Sequence, residues 1–111
     1  MNYGLPFSTV QKIQTVLSLF PQVEQAILYG SRAKGSYKKG SDIDLTLLGG
    51  SDLTLNVTFK ILNSLDELFL PYTIDLSIFE DITDPDVIEH IHRVGVIFYR
   101  KDVNYSELVG A

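Results

Sequence analysis

The sequence predicts an α+β fold: a small mixed sheet of about four strands with helices on one face. Three observations carry that expectation. Residues 42–48 and 73–78 alternate apolar and polar side chains with period two, as half-buried strands do. Three other stretches repeat apolar residues at helical spacing. The two kinds of segment intersperse along 111 residues of 45% hydrophobic content, a size that supports one core and not two. A single domain spanning 1–111 is therefore expected, with its structured part at 8–99 and a polar tail at 100–111.

The elements follow in order. Ser8 and Gln11 are spaced as a capping box, and Val10, Ile13, Leu17 and Phe20 recur on one helical stripe until Pro21 stops it, predicting a helix over 8–20. Residues 23–29 end in the β-favouring run Ala26-Ile27-Leu28-Tyr29, and Gly30 breaks this buried strand. Residues 31–41, with two glycines and a cluster of basic side chains, read as a loop opened by one helical turn. In the next strand Ile43, Leu45 and Leu47 share one face while Asp42, Asp44 and Thr46 share the other.

Leu53, Val57, Ile61, Leu65 and Leu68 then form a helical stripe, with Ser51 or Asp52 placed to cap its start. A second alternating strand sets Ile74, Leu76 and Ile78 against Thr73, Asp75 and Ser77, so Asp75 is a lone charge within a strand. Asp84-Pro85 is an N-cap and first-turn pair for a third helix, Gly95 stands where a left-handed C-terminal cap would be, and residues 96–99 form a last short strand.

Composition narrows the function. With no cysteine, disulfides and thiolate metal sites are excluded, and the composition suits a reducing cytoplasm, the expected location. The N-terminus lacks the features of a secretory signal, and no apolar run approaches the roughly 18 residues of a membrane span. A net charge of -5 argues against stable duplex DNA binding. Yet four of the nine Lys and Arg residues (Arg32, Lys34, Lys38 and Lys39) fall within eight positions, which marks a local anion site.

The chemistry concentrates around that cluster. Asp42 and Asp44 leave one strand on the same face, about 7 Å apart by the strand rise, where their charges repel. A hard cation relieves that cost, and Mg²⁺ suits oxygen-only ligands. Asp75 completes the set if its strand lies beside the first. Two ions so held would activate an attacking oxygen and steady the leaving one, with Asp75 near the acceptor as a candidate general base. Gly30-Ser31 after a strand offers amide donors, a hydroxyl and a helix start to a triphosphate, with Arg32 or a lysine neutralising the remaining charge. Spacing leaves open which basic side chain reaches a phosphate.

Gly30-Ser31-Arg32-Ala33-Lys34-Gly35 followed by Ser41-Asp42-Ile43-Asp44-Leu45 resembles the signature of the DNA polymerase beta-like nucleotidyltransferase superfamily: Gly-Ser, ten residues, then Asp-x-Asp. The resemblance implies the nucleotidyltransferase fold, Gly30 and Ser31 at the triphosphate of ATP or another NTP, two Mg²⁺ ions at Asp42 and Asp44, and Asp75 as third carboxylate. It is nearest to the stand-alone minimal nucleotidyltransferases, often paired with a HEPN-type helical protein. Some such pairs act as toxin and antitoxin, the transferase adding AMP to a tyrosine of its partner. The resemblance thus implies a separate substrate-binding or toxin partner in an oligomer or heterocomplex.

Plainer readings stand beside these. Paired strand aspartates can be solvated surface residues, and each loop lysine can be the same. His90 and His92, two apart on a helix, share no face and are assigned to structure, and Tyr29 to aromatic packing. Leu5, Phe7 and Phe69 are candidates for partner-facing positions. Against the enzyme stand a binding module that neutralises a toxin by masking it, and a nucleic-acid-binding fold, weakened by the charge.

Overall fold

The computed structural model describes residues 3–102. The chain runs through α1 (Phe7–Ser18), β1 (Val23–Tyr29), α2 (Gly30–Lys34), β2 (Ile43–Gly49), α3 (Leu55–Asp66), β3 (Ile74–Ile78), a 3-10 turn (Phe79–Asp81), α4 (Pro85–Val94) and β4 (Val96–Arg100). The four strands form one sheet in the order β3-β2-β1-β4. β1 pairs antiparallel with both β2 and β4, whereas β2 and β3 are parallel, because α3 carries the chain back between them. The α+β class and the mixed four-stranded sheet are those the alternation predicts.

The core is built from one face of each element. Ile13 and Leu17 of α1, Ala26 and Leu28 of β1, Ile43, Leu45 and Leu47 of β2, Ile61 and Leu65 of α3, and Phe98 of β4 share one buried cluster. Burying each large aliphatic side chain contributes about 1.5–3 kcal/mol, so this face fixes which strand residues point to α1 and α3. The opposite face is left to Ile27 and Tyr29 of β1 and to Asp44 and Thr46 of β2. α4 lies there: a Cβ added to Gly95 would strike Ile27. The apolar face thus carries α1 and α3, and α4 covers part of the second face, beside the aspartates.

Helix ends depart from the expected caps for identifiable reasons. α1 begins at Phe7, with Pro6 in the N-cap position and no side-chain cap; the Pro6 carbonyl accepts from Thr9 N at 3.0 Å and Val10 N at 3.2 Å. Ser8 is therefore already inside the first turn and cannot serve as N-cap. α3 is capped by Thr54, whose Oγ1 accepts from Val57 N at 3.3 Å, and not by Ser51 or Asp52. Leu53 is buried, and its N–H donates to Gly50 O in a turn that ends before the helix starts.

Asp84 caps α4 as expected, its Oδ1 accepting from Asp86 N at 2.9 Å. Gly95, however, is extended at φ -62 and ψ 140 and not left-handed. Its smallness is used for packing, since a Cβ there would also strike the Ile91 carbonyl. The expected tail begins on β4, which runs through Arg100, and residues 103–111 lie outside the described residues. Among the described residues no helix is long and apolar enough to cross a membrane.

Candidate active site

Register brings the carboxylates together. Tyr29 of β1 stands opposite Asp44 of β2, and Asp44 opposite Asp75 of β3, so the three form a row across the sheet on one face. Asp42 lies two residues before Asp44, at the mouth of β2. Asp42 and Asp75 are exposed and Asp44 is half-buried. Behind the row, Ser77 Oγ donates to Thr46 Oγ1 at 2.9 Å, tying β3 to β2 just beneath the aspartates.

The row is electrostatically tense. Burial pushes the Asp44 carboxyl above its ordinary range, and the charges of Asp75 and Asp42 push it further, while His90 acts the other way. Burial likewise raises the Tyr29 phenol; a hydrogen bond with Ser77 opposes this, and the charges of Asp75 and Asp44 add to it. Among the described residues no three acidic or imidazole groups close into a ready-made metal cage. The expected ligands share a face and repel one another without converging into a closed shell.

Gly30 is pressed against this row. It has φ 76, a left-handed conformation suited to glycine, and a Cβ there would strike Asp44 Oδ2. Its N–H donates to His90 Nε2 at 3.1 Å, and the His90 ring meets the Tyr29 ring edge-on at 6.2 Å. His90, assigned to structure from its helix spacing, thus borders the candidate site. No signal in the sequence gives this position, because it depends on α4 returning across the second face. Tyr29 could be read into the row only once the strand register was known. His92 stays outside, stacked on Phe79 at 5.8 Å.

Arg32, expected at the triphosphate, is placed otherwise. The residue is 2% exposed. Its Nε donates to Ser41 O at 3.0 Å and its Nη1 to Tyr3 O and Gly4 O at 3.1 and 3.4 Å. The guanidinium also lies over the rings of Tyr37 and Tyr72, at 5.5 and 5.1 Å. Its Nε and Nη1 hold the 35–41 loop against the N-terminal segment. Lys34, Lys38 and Lys39 remain exposed. The loop is closed by Ser41, whose N–H donates to Lys38 O at 3.0 Å and whose Oγ accepts from Lys38 N at 2.8 Å, so Asp42 emerges from an ordered turn.

Comparison with known proteins adds the following. The family model described as polymerase beta, nucleotidyltransferase, matches residues 11–104. A Haemophilus influenzae protein described as a probable protein adenylyltransferase, MntA, is 29% identical over 90 residues, covering 81% of this chain and 78% of its own length. A solved toxin–antitoxin with AMP-PNP superposes with a TM-score of 0.66 at 18% identity, over 91% of this chain and 81% of that one. A complex of the tri-AMPylated Shewanella oneidensis HEPN toxin with an MNT antitoxin superposes at 0.61 and 16% identity, over 85% and 71% of the two chains. At these identities the structural likeness shows a shared fold.

Proposed function

Because the chain belongs to the polymerase beta nucleotidyltransferase family and is a nucleotidyltransferase on that ground, we propose that it transfers AMP from ATP to a hydroxyl of a HEPN-type helical partner, as an antitoxin and with magnesium. The observation that carries the site is the row of Asp44 and Asp75 at matched register, with Asp42 two residues upstream and Gly30 packed on Asp44. Similarity to the Haemophilus probable protein adenylyltransferase supports protein adenylylation, and the AMP-PNP and HEPN complexes support nucleotide and partner.

The residues present fit magnesium. A carboxylate such as Asp44, pushed up by burial and by neighbouring negative charge, is what a divalent cation relieves. Mg²⁺ takes one or two carboxylates and leaves its other positions to water and phosphate, so a closed protein cage is not needed. Asp42, Asp44 and Asp75 would hold it. When bound there, it supplies charge neutralisation on the triphosphate for in-line displacement.

The chain's own side chains do the rest. Ser31, at the start of α2, binds the triphosphate through its hydroxyl and amide. Asp75, exposed at the edge strand, accepts the proton of the acceptor hydroxyl as that oxygen bonds to the α-phosphorus and pyrophosphate leaves. Arg32 contributes by holding the loop that presents Asp42. We read 1–111 as one catalytic unit with its motif core at 8–99, working in a reducing compartment such as the cytoplasm.

Incubating the chain with labelled ATP, Mg²⁺ and a candidate HEPN partner tests this, with Asp42→Asn/Asp44→Asn as control. Label on the partner that disappears in the control is the expected result. Tight partner binding without transfer, unaffected by the double substitution, would replace the reading with a masking module.

A further inference from the structure

The Gly30 amide is one of the donors that a strand-to-helix turn offers an incoming anion, yet it is already committed. It donates to His90 Nε2 on α4 at 3.1 Å. A backbone amide carries a single proton, so while this bond stands Gly30 has no strong donor left for a phosphate. We infer that His90 is a positioning residue for nucleotidyl transfer: it grips the Gly30 amide and thereby sets where Ser31 and Asp44 stand relative to each other.

This rests on the transferase reading above and adds a residue to it. The geometry around His90 is that of a clamp. Its ring orientation is set by the edge contact with Tyr29, 6.2 Å between centroids at 79°. Its helix is anchored on both sides of it: the Asp84 cap holds the start of α4, Ile91 is buried, and Gly95 is pressed against Ile27 at the far end. His92 stacks on Phe79 and adds a further contact. At the other end of the bond, Gly30 has no slack, since Asp44 Oδ2 fills the space where a side chain would begin. A shift of Gly30 therefore moves Asp44 or separates it from Ser31. In this arrangement Gly30 serves the turn and the close approach, and the phosphate donors belong to Ser31.

His90→Phe keeps a ring against Tyr29 and removes the acceptor, whereas His90→Gln keeps an acceptor near the Nε2 position. The full chain carrying each substitution would be compared with the unsubstituted chain for labelled AMP transfer to the partner (kcat and KM for ATP) and for hydrogen exchange of the Gly30 amide without nucleotide. His90→Phe is expected to lower kcat by about tenfold, the scale of one lost hydrogen bond, with a smaller change in KM and with faster Gly30 exchange. His90→Gln is expected to recover both. Unchanged kcat or unchanged Gly30 protection in His90→Phe, or a Gln variant as impaired as Phe, would overturn the role of His90 and leave the transferase reading standing. Absence of transfer by the unsubstituted chain would instead overturn the transferase reading, and the positioning role with it.

Discussion

Gly30 answers to two constraints at once, a φ of 76 and the Asp44 carboxylate against its α-carbon. Gly30→Ala is accordingly expected to cost about 1–3 kcal/mol of stability through backbone strain and the clash, and to lower transfer more than tenfold as Asp44 is displaced; urea unfolding and the label assay measure the two. Asp44 itself gives a prediction of opposite sign. Its carboxyl is raised in the folded state, first by burial and then by Asp75 and Asp42. A raised carboxyl contributes stability below its unfolded value and loses it as pH climbs through the folded one. Above that window the metal-free chain carries a penalty that Asp44→Asn removes, so the variant should melt at a higher temperature than the parent at neutral pH in EDTA. The gain should vanish in acid, where both forms are neutral; a melting temperature that falls at neutral pH would contradict the assignment.

Strands were legible from the amino-acid pattern because alternation is a direct consequence of one buried and one open face. β1 matches residues 23–29, and the alternation that put Asp44 on the polar face of β2 also put Asp75 on the polar face of β3, while Asp42 stands just before β2. Helix starts were legible only where one residue type at one position settles the cap, as at Asp84-Pro85. Ser8 and Asp52 have capping side chains, but a cap must occupy the last extended residue before the helix, and turns made by Pro6 and Leu53 move that point to Pro6 and Thr54. Thr54→Ala is therefore expected to cost about 1 kcal/mol. Ser51→Ala and Asp52→Ala should stay within about 0.5 kcal/mol of the parent, and thermal unfolding of the three distinguishes the caps.

At the scale of the whole molecule, the sheet has one face given to packing and one that carries the candidate site. The first was readable from composition and spacing; the second was readable only in part, because its borders come from residues distant in sequence. Arg32 looked available to a phosphate, but its guanidinium meets Tyr3, Gly4 and Tyr72, contacts that no local spacing reveals. His90 is brought in by α4 in the same way. Leu5, a candidate partner-facing residue, is buried in the core, whereas Phe7 and Phe69 are exposed, Phe69 by 90%. On the proposed function, Asp42, Asp44 and Asp75 stand beside an ordered basic loop, and affinity for the nucleotide should depend on a cation that joins the two.

Calorimetric titration of ATP into the parent chain and into Asp44→Asn, each with Mg²⁺ and with EDTA, tests that claim most directly. Binding by the parent in Mg²⁺ alone, lost in EDTA and in Asp44→Asn, is the expected result. Equal binding in all four titrations would contradict a metal-bridged nucleotide at the carboxylate row.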